Sequence, residues 1–171
     1  MVTSLNRASK WAEIIGAITV VLGMIFVGLE IRQNTQAQMF YTTQSLVSEY
    51  NASLRSMADA SDECFFMRGF RSFDQLDPAE SLKFSLFMLP ILRIWEQMYY
   101  SSLEHGMDLE VFAGFEGQMR TNLALPGLKE YFQLRRGYFG VRFQAYVDGV
   151  IEETDPTTNL YGFDNFEGCE S

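Results

Sequence analysis

Histidine, cysteine and basic residues are scarce in this chain, and each shortage removes a class of function. The 171 residues include one histidine and two cysteines, and the cysteines lie far apart at positions 64 and 169. Zinc sites need clustered cysteine and histidine, and ferritin-like di-iron sites need two Glu-x-x-His pairs. With 13 basic and 22 acidic residues, the chain also lacks the positive charge that binds nucleic acid. We therefore predict no metal, no cofactor and no nucleic-acid partner.

The sequence also lacks the motifs of common enzyme classes. It contains no G-x-S-x-G, no P-loop and no dinucleotide-binding glycine pattern. His105 precedes Gly106 at a predicted helix end, where an imidazole is typical of capping rather than catalysis. Glu96 follows Trp95 in the most apolar predicted helix and is the one candidate for a buried carboxylate, although an ion pair with Arg93 is the simpler interpretation. We predict no catalytic residue and no enzyme.

An uncharged run near the N-terminus is the most informative segment that is present. Residues 14–29 contain no charge and no proline, and residues 11–31 would span roughly 30 Å as a helix, the thickness of a bilayer core. A cleaved signal peptide is one alternative, but the run is longer than most signal cores. A buried helix of a soluble protein is another, but few such helices are apolar all round. We predict an uncleaved transmembrane anchor over residues 1–33.

Charges beside the anchor predict its orientation. Arg7, Lys10 and the terminal amine lie on one side, whereas Arg32 on the other side is opposed by Glu30. The positive-inside rule then places the N-terminus in the cytoplasm and the rest of the chain across the membrane.

A stripe of small residues runs along the anchor. Ala12, Gly16, Thr19 and Gly23 recur at spacings of four, three and four, so they share one face of a helix. Small residues let membrane helices approach closely, although glycine is common in membrane helices in any case. The stripe predicts a helix-packing interface with other transmembrane helices, either of a larger complex or of a second copy, within the lipid bilayer.

Helical periodicity continues through residues 34–153, which we predict to be a helical-bundle domain. Asp77-Pro78-Ala79-Glu80 is a capping pattern that predicts a helix start, and Gly106 is expected as the left-handed residue that ends the same helix. Pro126 is expected to begin another helix. The predicted helices cover residues 9–60, 62–73, 78–105, 109–122, 126–136 and 141–153. The predicted class is all-α, with a single N-terminal transmembrane helix that continues into the bundle.

The last segment, residues 154–171, is acidic and is predicted to be irregular. Tyr161, Phe163 and Phe166 in this tail either bind a partner or cover the domain's own core. Cys64 lies in an apolar run and is expected to be a buried free thiol, while a disulfide with Cys169 is the second interpretation, open to a domain outside the cytoplasm.

Several patterns resemble those of an uncharacterised family of small bacterial proteins with an N-terminal membrane anchor. The first is WAEIIGA followed by VGLEIRQN, and later stretches such as RIWE are similar to the rest of that family. The matching segments are residues 11–17, 27–34, 93–96, 126–131 and 143–148. The resemblance implies a bacterial membrane location. In the inner membrane of a bacterium, the orientation predicted from the flanking charges places the main domain in the periplasm. It implies no activity and no functional residues.

These observations together predict an accessory or scaffold subunit of a larger inner-membrane complex, of respiratory, photosynthetic or transport type, that acts through protein–protein contacts. Two other functions stay open. One is a membrane-tethered sensor that binds a small apolar ligand, for which a closed cavity beside Trp95 is the expected sign. The other is an enzyme that uses the buried carboxylate of Glu96.

Overall fold

The computed structural model describes residues 2–59 and 63–153, and the regular structure within these ranges is entirely helical. Two short 3-10 helices, Phe73–Gln75 and Arg136–Tyr138, accompany the α-helices. In chain order, the α-helices of the described residues are α1 Val2–Asp59, α2 Glu63–Arg71, α3 Pro78–Leu103, α4 Leu109–Leu123, α5 Pro126–Arg135 and α6 Val141–Glu153. The predicted all-α class is therefore confirmed for the described part of the chain.

The chain divides into two compact units, Met1–Phe40 and Tyr41–Ser171. The first unit contains the predicted anchor, within α1. By length and composition α1 can cross a membrane, and none of its most apolar 18-residue stretch is buried. A core helix of a soluble protein would bury such a stretch, so the exposure is compatible with a membrane anchor.

The start of α3 is fixed by the capping pattern that the sequence predicts. The Asp77 carboxylate accepts hydrogen bonds from the backbone N–H groups of Ala79 and Glu80 at 2.8 and 2.9 Å. The Glu80 carboxylate accepts in return from the backbone N–H of Asp77 at 3.2 Å. Pro78 occupies the first turn, where its missing N–H costs nothing. This helix start is confirmed.

The end of α3 differs from the prediction. The helix ends at Leu103, and the residue with left-handed backbone is His105, with φ of 55°, rather than Gly106. The Gly106 N–H donates to the carbonyl of Ser101 at 2.8 Å and the His105 N–H to that of Ser102 at 3.3 Å. These two bonds form a Schellman motif, in which the residue before the last donor adopts the left-handed conformation. His105 therefore caps α3 through its backbone.

An aromatic cluster forms the core of the bundle, and Phe84 of α3 lies at its centre. Phe84 is completely buried. Its ring centroid lies 5.5 Å from those of Phe70, Phe73 and Tyr131, mostly in edge-to-face geometry. Such pairs add stabilisation beyond area burial. This cluster links α2, α3 and α5, and the apolar centre of α3 is deeply buried.

The crossing of α2 and α5 leaves no space for side chains. A Cβ on Gly127 would lie 2.0 Å from the carbonyl oxygen of Gly69 and 2.9 Å from the backbone of Phe70. The obstructing atoms are backbone atoms, so no rotamer change can relieve the clash. The absence of a Cβ at this position is what lets the two helices approach closely.

The remaining helix boundaries agree closely with the prediction, except at the start of α1 and at the end of α2. α1 begins at Val2, seven residues before the predicted start at residue 9. α2 ends at Arg71 rather than at residue 73, because Ser72 has extended backbone and Phe73 begins a 3-10 turn. Asp108 caps α4 by accepting from the N–H groups of Glu110 and Val111 at 2.9 and 3.1 Å.

Candidate functional site

The small-residue stripe of α1 faces open space. Apart from the backbone of the adjacent turns and the two chain neighbours, no described atom lies within 4 Å of a Cβ built on Gly16 or Gly23, and Thr19 between them is exposed. The Thr19 hydroxyl donates to the carbonyl oxygen of Ile15 at 2.8 Å, so this polar group is satisfied within its own helix. The side chain of Ala12, the fourth predicted member, lies outside the described residues. The three described members thus form a narrow surface that another helix can approach.

A cavity of about 380 Å³ in the bundle is the best candidate binding site among the described residues. Its walls are almost entirely apolar, with methionine and aromatic side chains from several helices. The lining residues are Tyr50, Leu54, Met57, Phe66, Met67, Phe70, Met88, Ile91, Gln118, Asn122 and Leu125. This volume falls in the range of small-molecule sites in proteins, and methionine adapts readily to ligand shape.

The polar groups of this cavity are concentrated on α4. Gln118 and Asn122 lie one turn apart on that helix, and their amides are the polar side chains of the lining apart from the Tyr50 hydroxyl. A wall of this kind suits a ligand that is mainly apolar and carries one hydrogen-bonding group.

This cavity does not lie beside Trp95, where a ligand cavity was expected from the sequence. The cavity beside Trp95 has a volume of only about 10 Å³, close to the minimum for one water molecule. Trp95 Nε1 and the Tyr146 hydroxyl are buried there without a well-aligned hydrogen bond in the described part of the chain. Burial, followed by the nearby Glu116 carboxylate, raises the pKa of the Tyr146 hydroxyl. This site is too small for an organic ligand.

Sequence reasoning missed the larger cavity because its walls come from distant parts of the chain. Met57, Met67 and Met88 belong to α1, α2 and α3, respectively. Each of them fits the periodicity of its own helix, so no local pattern distinguishes a cavity wall from core packing.

The Glu96 carboxylate is held by two structural contacts. Its Oε2 accepts from Arg93 Nη1 at 2.8 Å, as the predicted ion pair requires, and its Oε1 accepts from the backbone N–H of Gly140 at 2.6 Å. The second contact ties α3 to the residue that precedes α6. Both oxygens are engaged, so the geometry favours a positioning role for Glu96 over acid–base chemistry.

A second charged cluster joins α6 to the turn that follows α5. Arg136 donates to both carboxylate oxygens of Asp148 and, at 2.7 Å, to the side-chain oxygen of Gln144. The hydrogen bond from Arg136 is the main cause that lowers the pKa of the Asp148 carboxyl below its usual value. The cluster is partly exposed, and its geometry is that of a surface tie between neighbouring segments.

The described residues bring no set of potential metal ligands together. Within residues 2–59 and 63–153 no group of three or more His, Cys, Asp or Glu side chains is placed to hold a metal ion.

Cys64 is disulfide-bonded and only half buried, so its prediction as a buried free thiol is wrong. The buried face of α2 is formed by Phe65, Phe66 and Gly69, which leaves Cys64 at its margin. Cys169 and the tail residues Tyr161, Phe163 and Phe166 lie outside the described residues.

Comparison with known proteins adds no family assignment. No family model, curated protein or solved structure matches this chain. The resemblance to the anchored bacterial family therefore stays a prediction.

Proposed function

We propose that this protein is a membrane-anchored accessory subunit of a bacterial inner-membrane complex, and that its N-terminal helix packs against other transmembrane helices. The observation that carries the proposal is the open surface formed by Gly16, Thr19 and Gly23. In lipid, helices associate by close contact and by satisfied polar groups rather than by the hydrophobic effect. A stripe that leaves space for a neighbouring backbone is what such contact needs.

The orientation proposed for this subunit places the bundle in the periplasm. Disulfides persist mainly in oxidising compartments, and the bacterial periplasm is one of them. The disulfide-bonded state of Cys64 therefore supports the same orientation as the charges of Arg7 and Lys10 at the N-terminal side of the anchor.

The test of the accessory function is a pair of glycine variants in the anchor. Gly16→Leu with Gly23→Leu fills the stripe, whereas Gly28→Leu adds the same side chain on a different face, also in open space. Each variant is purified from gently solubilised membranes, and the amount of stoichiometric partner that purifies with it is measured. We expect the double variant to recover at least ten times less partner than Gly28→Leu does. Equal recovery of the partner in all three chains, or a wild-type chain that purifies alone, would contradict the proposal.

Co-purification of two differently tagged copies of this protein distinguishes self-association from binding to another protein. Recovery of one tagged copy with the other indicates self-association through the stripe. Recovery of a different stoichiometric protein indicates a host complex. Either result must depend on the glycine stripe.

The cavity of about 380 Å³ favours a second candidate function, a membrane-tethered protein that binds a small apolar ligand. A lipophilic fluorescent probe such as N-phenyl-1-naphthylamine tests this function in liposome-reconstituted protein. Leu54→Trp adds bulk at the cavity wall, whereas Leu134→Trp adds the same bulk at an exposed position of α5. We expect saturable binding that weakens at least tenfold in Leu54→Trp and is unchanged in Leu134→Trp. Equal binding in all three chains would exclude the cavity as the probe site.

A further inference from the structure

We infer that the cavity of about 380 Å³ selects an uncharged amphiphile, which binds with its apolar end inward and its polar group beside Gln118 of α4. The ligand class is a small molecule that carries one hydroxyl or carbonyl group on an apolar body. This inference rests on the second candidate function, the binding of a small apolar ligand. It adds which ligands the cavity accepts and in which orientation they bind.

The cavity has a polar outer end and an apolar inner end. Burial of the lining increases along the chain from α4, because Gln118 is exposed, Asn122 is partly buried and Leu125 is only 7% exposed. Met88 and Ile91, which α3 contributes to the lining, are each 3% exposed. A polar group that stays beside Gln118 keeps its hydrogen bonds, whereas one placed among the buried apolar side chains would lose them. This gradient sets the orientation of the ligand.

The described lining carries no charge. Arg55 and Arg71 each follow a lining residue in the sequence, but both are exposed and neither contributes to the cavity wall. A charged headgroup in the cavity would therefore lose water without gaining an ion pair, and such a loss is costly. The lining thus selects against both anions and cations.

Two further arginines near lining residues in the sequence are already bound by carboxylates. Arg68 forms an ion pair with Glu80. Arg120 pairs with Glu116 at 3.0 Å and with Glu153 at 2.8 Å. The whole chain has a net charge of −9, and a field of this sign repels anions. A carboxylate ligand is therefore disfavoured both by the lining and by its surroundings.

The volume of the cavity limits the size of the ligand. An apolar cavity of about 150 Å³ holds one benzene molecule, so a cavity of about 380 Å³ has room for about 15 non-hydrogen atoms. The alcohol 1-dodecanol is close to this size. The flexible side chains of Met57, Met67 and Met88 in the lining can adapt to its chain.

Displacement of bound N-phenyl-1-naphthylamine tests the selectivity in liposome-reconstituted, full-length protein. The competitors are 1-dodecanol, dodecanoate and dodecyltrimethylammonium, which share a dodecyl-length chain and differ in headgroup charge. Each is added at the same mole fraction of the bilayer, at about pH 9, where a carboxyl group is ionised. We expect 1-dodecanol to displace the probe at least ten times more effectively than either charged competitor. Equal displacement by a charged competitor, or no displacement by 1-dodecanol, would overturn the inference.

Gln118→Arg tests where the polar group of the ligand lies. A cation at this position should let the cavity accept a carboxylate. We expect dodecanoate to displace the probe at least five times more effectively in Gln118→Arg than in wild type. Gln97→Arg adds the same charge at an exposed position of α3 outside the lining, and should leave displacement by dodecanoate unchanged. No gain in Gln118→Arg, or an equal gain in Gln97→Arg, would contradict the proposed position.

Photo-labelling tests the orientation of the bound alcohol. Two derivatives of 1-dodecanol carry a diazirine, one at the methyl end of the chain and the other beside the hydroxyl group. We expect the first to label the α3 peptide that contains Met88 and Ile91, and the second to label the α4 peptide that contains Gln118. The reverse pattern, equal labelling of both peptides by both derivatives, or labelling of neither peptide would overturn the orientation.

The outcomes separate this inference from the function on which it rests. A chain without saturable probe binding overturns the ligand-binding function and the selectivity together. A chain that binds the probe, but releases it equally to charged and uncharged competitors, retains the ligand-binding function and lacks only the proposed selectivity.

Discussion

The N-terminal unit exposes its large apolar side chains, whereas the helical bundle buries most of its own. In α1, Phe26 is 67% exposed and contributes to a continuous apolar surface. In the bundle, Phe84 is fully buried among four other aromatic rings. The same side chain therefore has two different surroundings in one polypeptide. Soluble proteins rarely expose contiguous apolar surface of this extent, so the difference is compatible with a membrane anchor in the first unit and a water-soluble bundle core in the second.

The largest expected effect is on the free energy of unfolding of the bundle. Phe84→Ala removes the ring at the centre of the aromatic cluster and should lower this free energy by about 3–5 kcal/mol. Phe26→Ala removes an identical ring from α1 and should leave the bundle's stability within about 0.5 kcal/mol, as is usual for residues outside the core. Equal losses of unfolding free energy in the two variants would contradict the difference in burial between the two regions.

Tryptophan fluorescence during chemical denaturation measures both variants. Trp11 lies in the exposed unit and Trp95 is buried in α3. A Trp11→Phe background leaves Trp95 as the only reporter of the bundle, so unfolding of the anchor does not contribute to the signal.

A smaller effect is expected from the backbone approach of α2 and α5. Gly127→Ala puts a methyl group against backbone atoms of Gly69 and Phe70, and overpacking of this kind should cost about 1–3 kcal/mol of unfolding free energy. Gly114→Ala in α4 has open space and should stabilise the bundle by about 0.5–1 kcal/mol. Melting temperatures that shift in opposite directions support the close crossing, and a shared direction contradicts it.

The smallest effect is a pH-dependent change at the surface of the bundle. The folded-state pKa of Asp148 is lowered by Arg136, so this carboxylate stabilises the folded state above its unfolded pKa of about 3.9. This stabilisation is lost as the pH falls through the folded-state value. Asp148→Asn should therefore lower the melting temperature slightly at pH 7, and its difference from wild type should vanish towards pH 2.

Glu152→Gln provides the control for the pH dependence. Glu152 is exposed on the same helix and belongs to none of the ion pairs found among the described residues. Its melting-temperature difference from wild type should be close to zero at every pH. A difference for Asp148→Asn that grows as the pH falls would contradict the pairing with Arg136.

The sequence predicted those parts of the fold that depend on local chemistry. The Asp77 capping box, the Asp108 cap and the start of α5 at Pro126 each involve residues within four positions of one another, and all three are present. The prediction of the left-handed residue that ends α3 was wrong by one position. Glycine is the usual residue there, but the hydrogen bonds of the Schellman motif place His105 in that conformation and Gly106 after it.

The candidate site could not be predicted in the same way. The cavity walls come from four different helices. The Gly69–Gly127 approach joins residues 58 positions apart, and the Glu96–Gly140 hydrogen bond joins residues 44 positions apart. Such contacts depend on how the helices pack, and a single sequence carries no record of that packing. The exposed stripe of α1 was recognisable because it repeats along one helix.

The central claim is that lipid is the solvent of residues 14–29. The most direct test places a tryptophan at the middle of this segment, as Val21→Trp in a Trp11→Phe background, in bilayers whose lipids carry bromine deep in the acyl chains. The account predicts that brominated lipid strongly quenches the added fluorescence and leaves Trp95 unaffected. An added tryptophan that escapes quenching, or that is quenched equally by an aqueous quencher, would contradict the account.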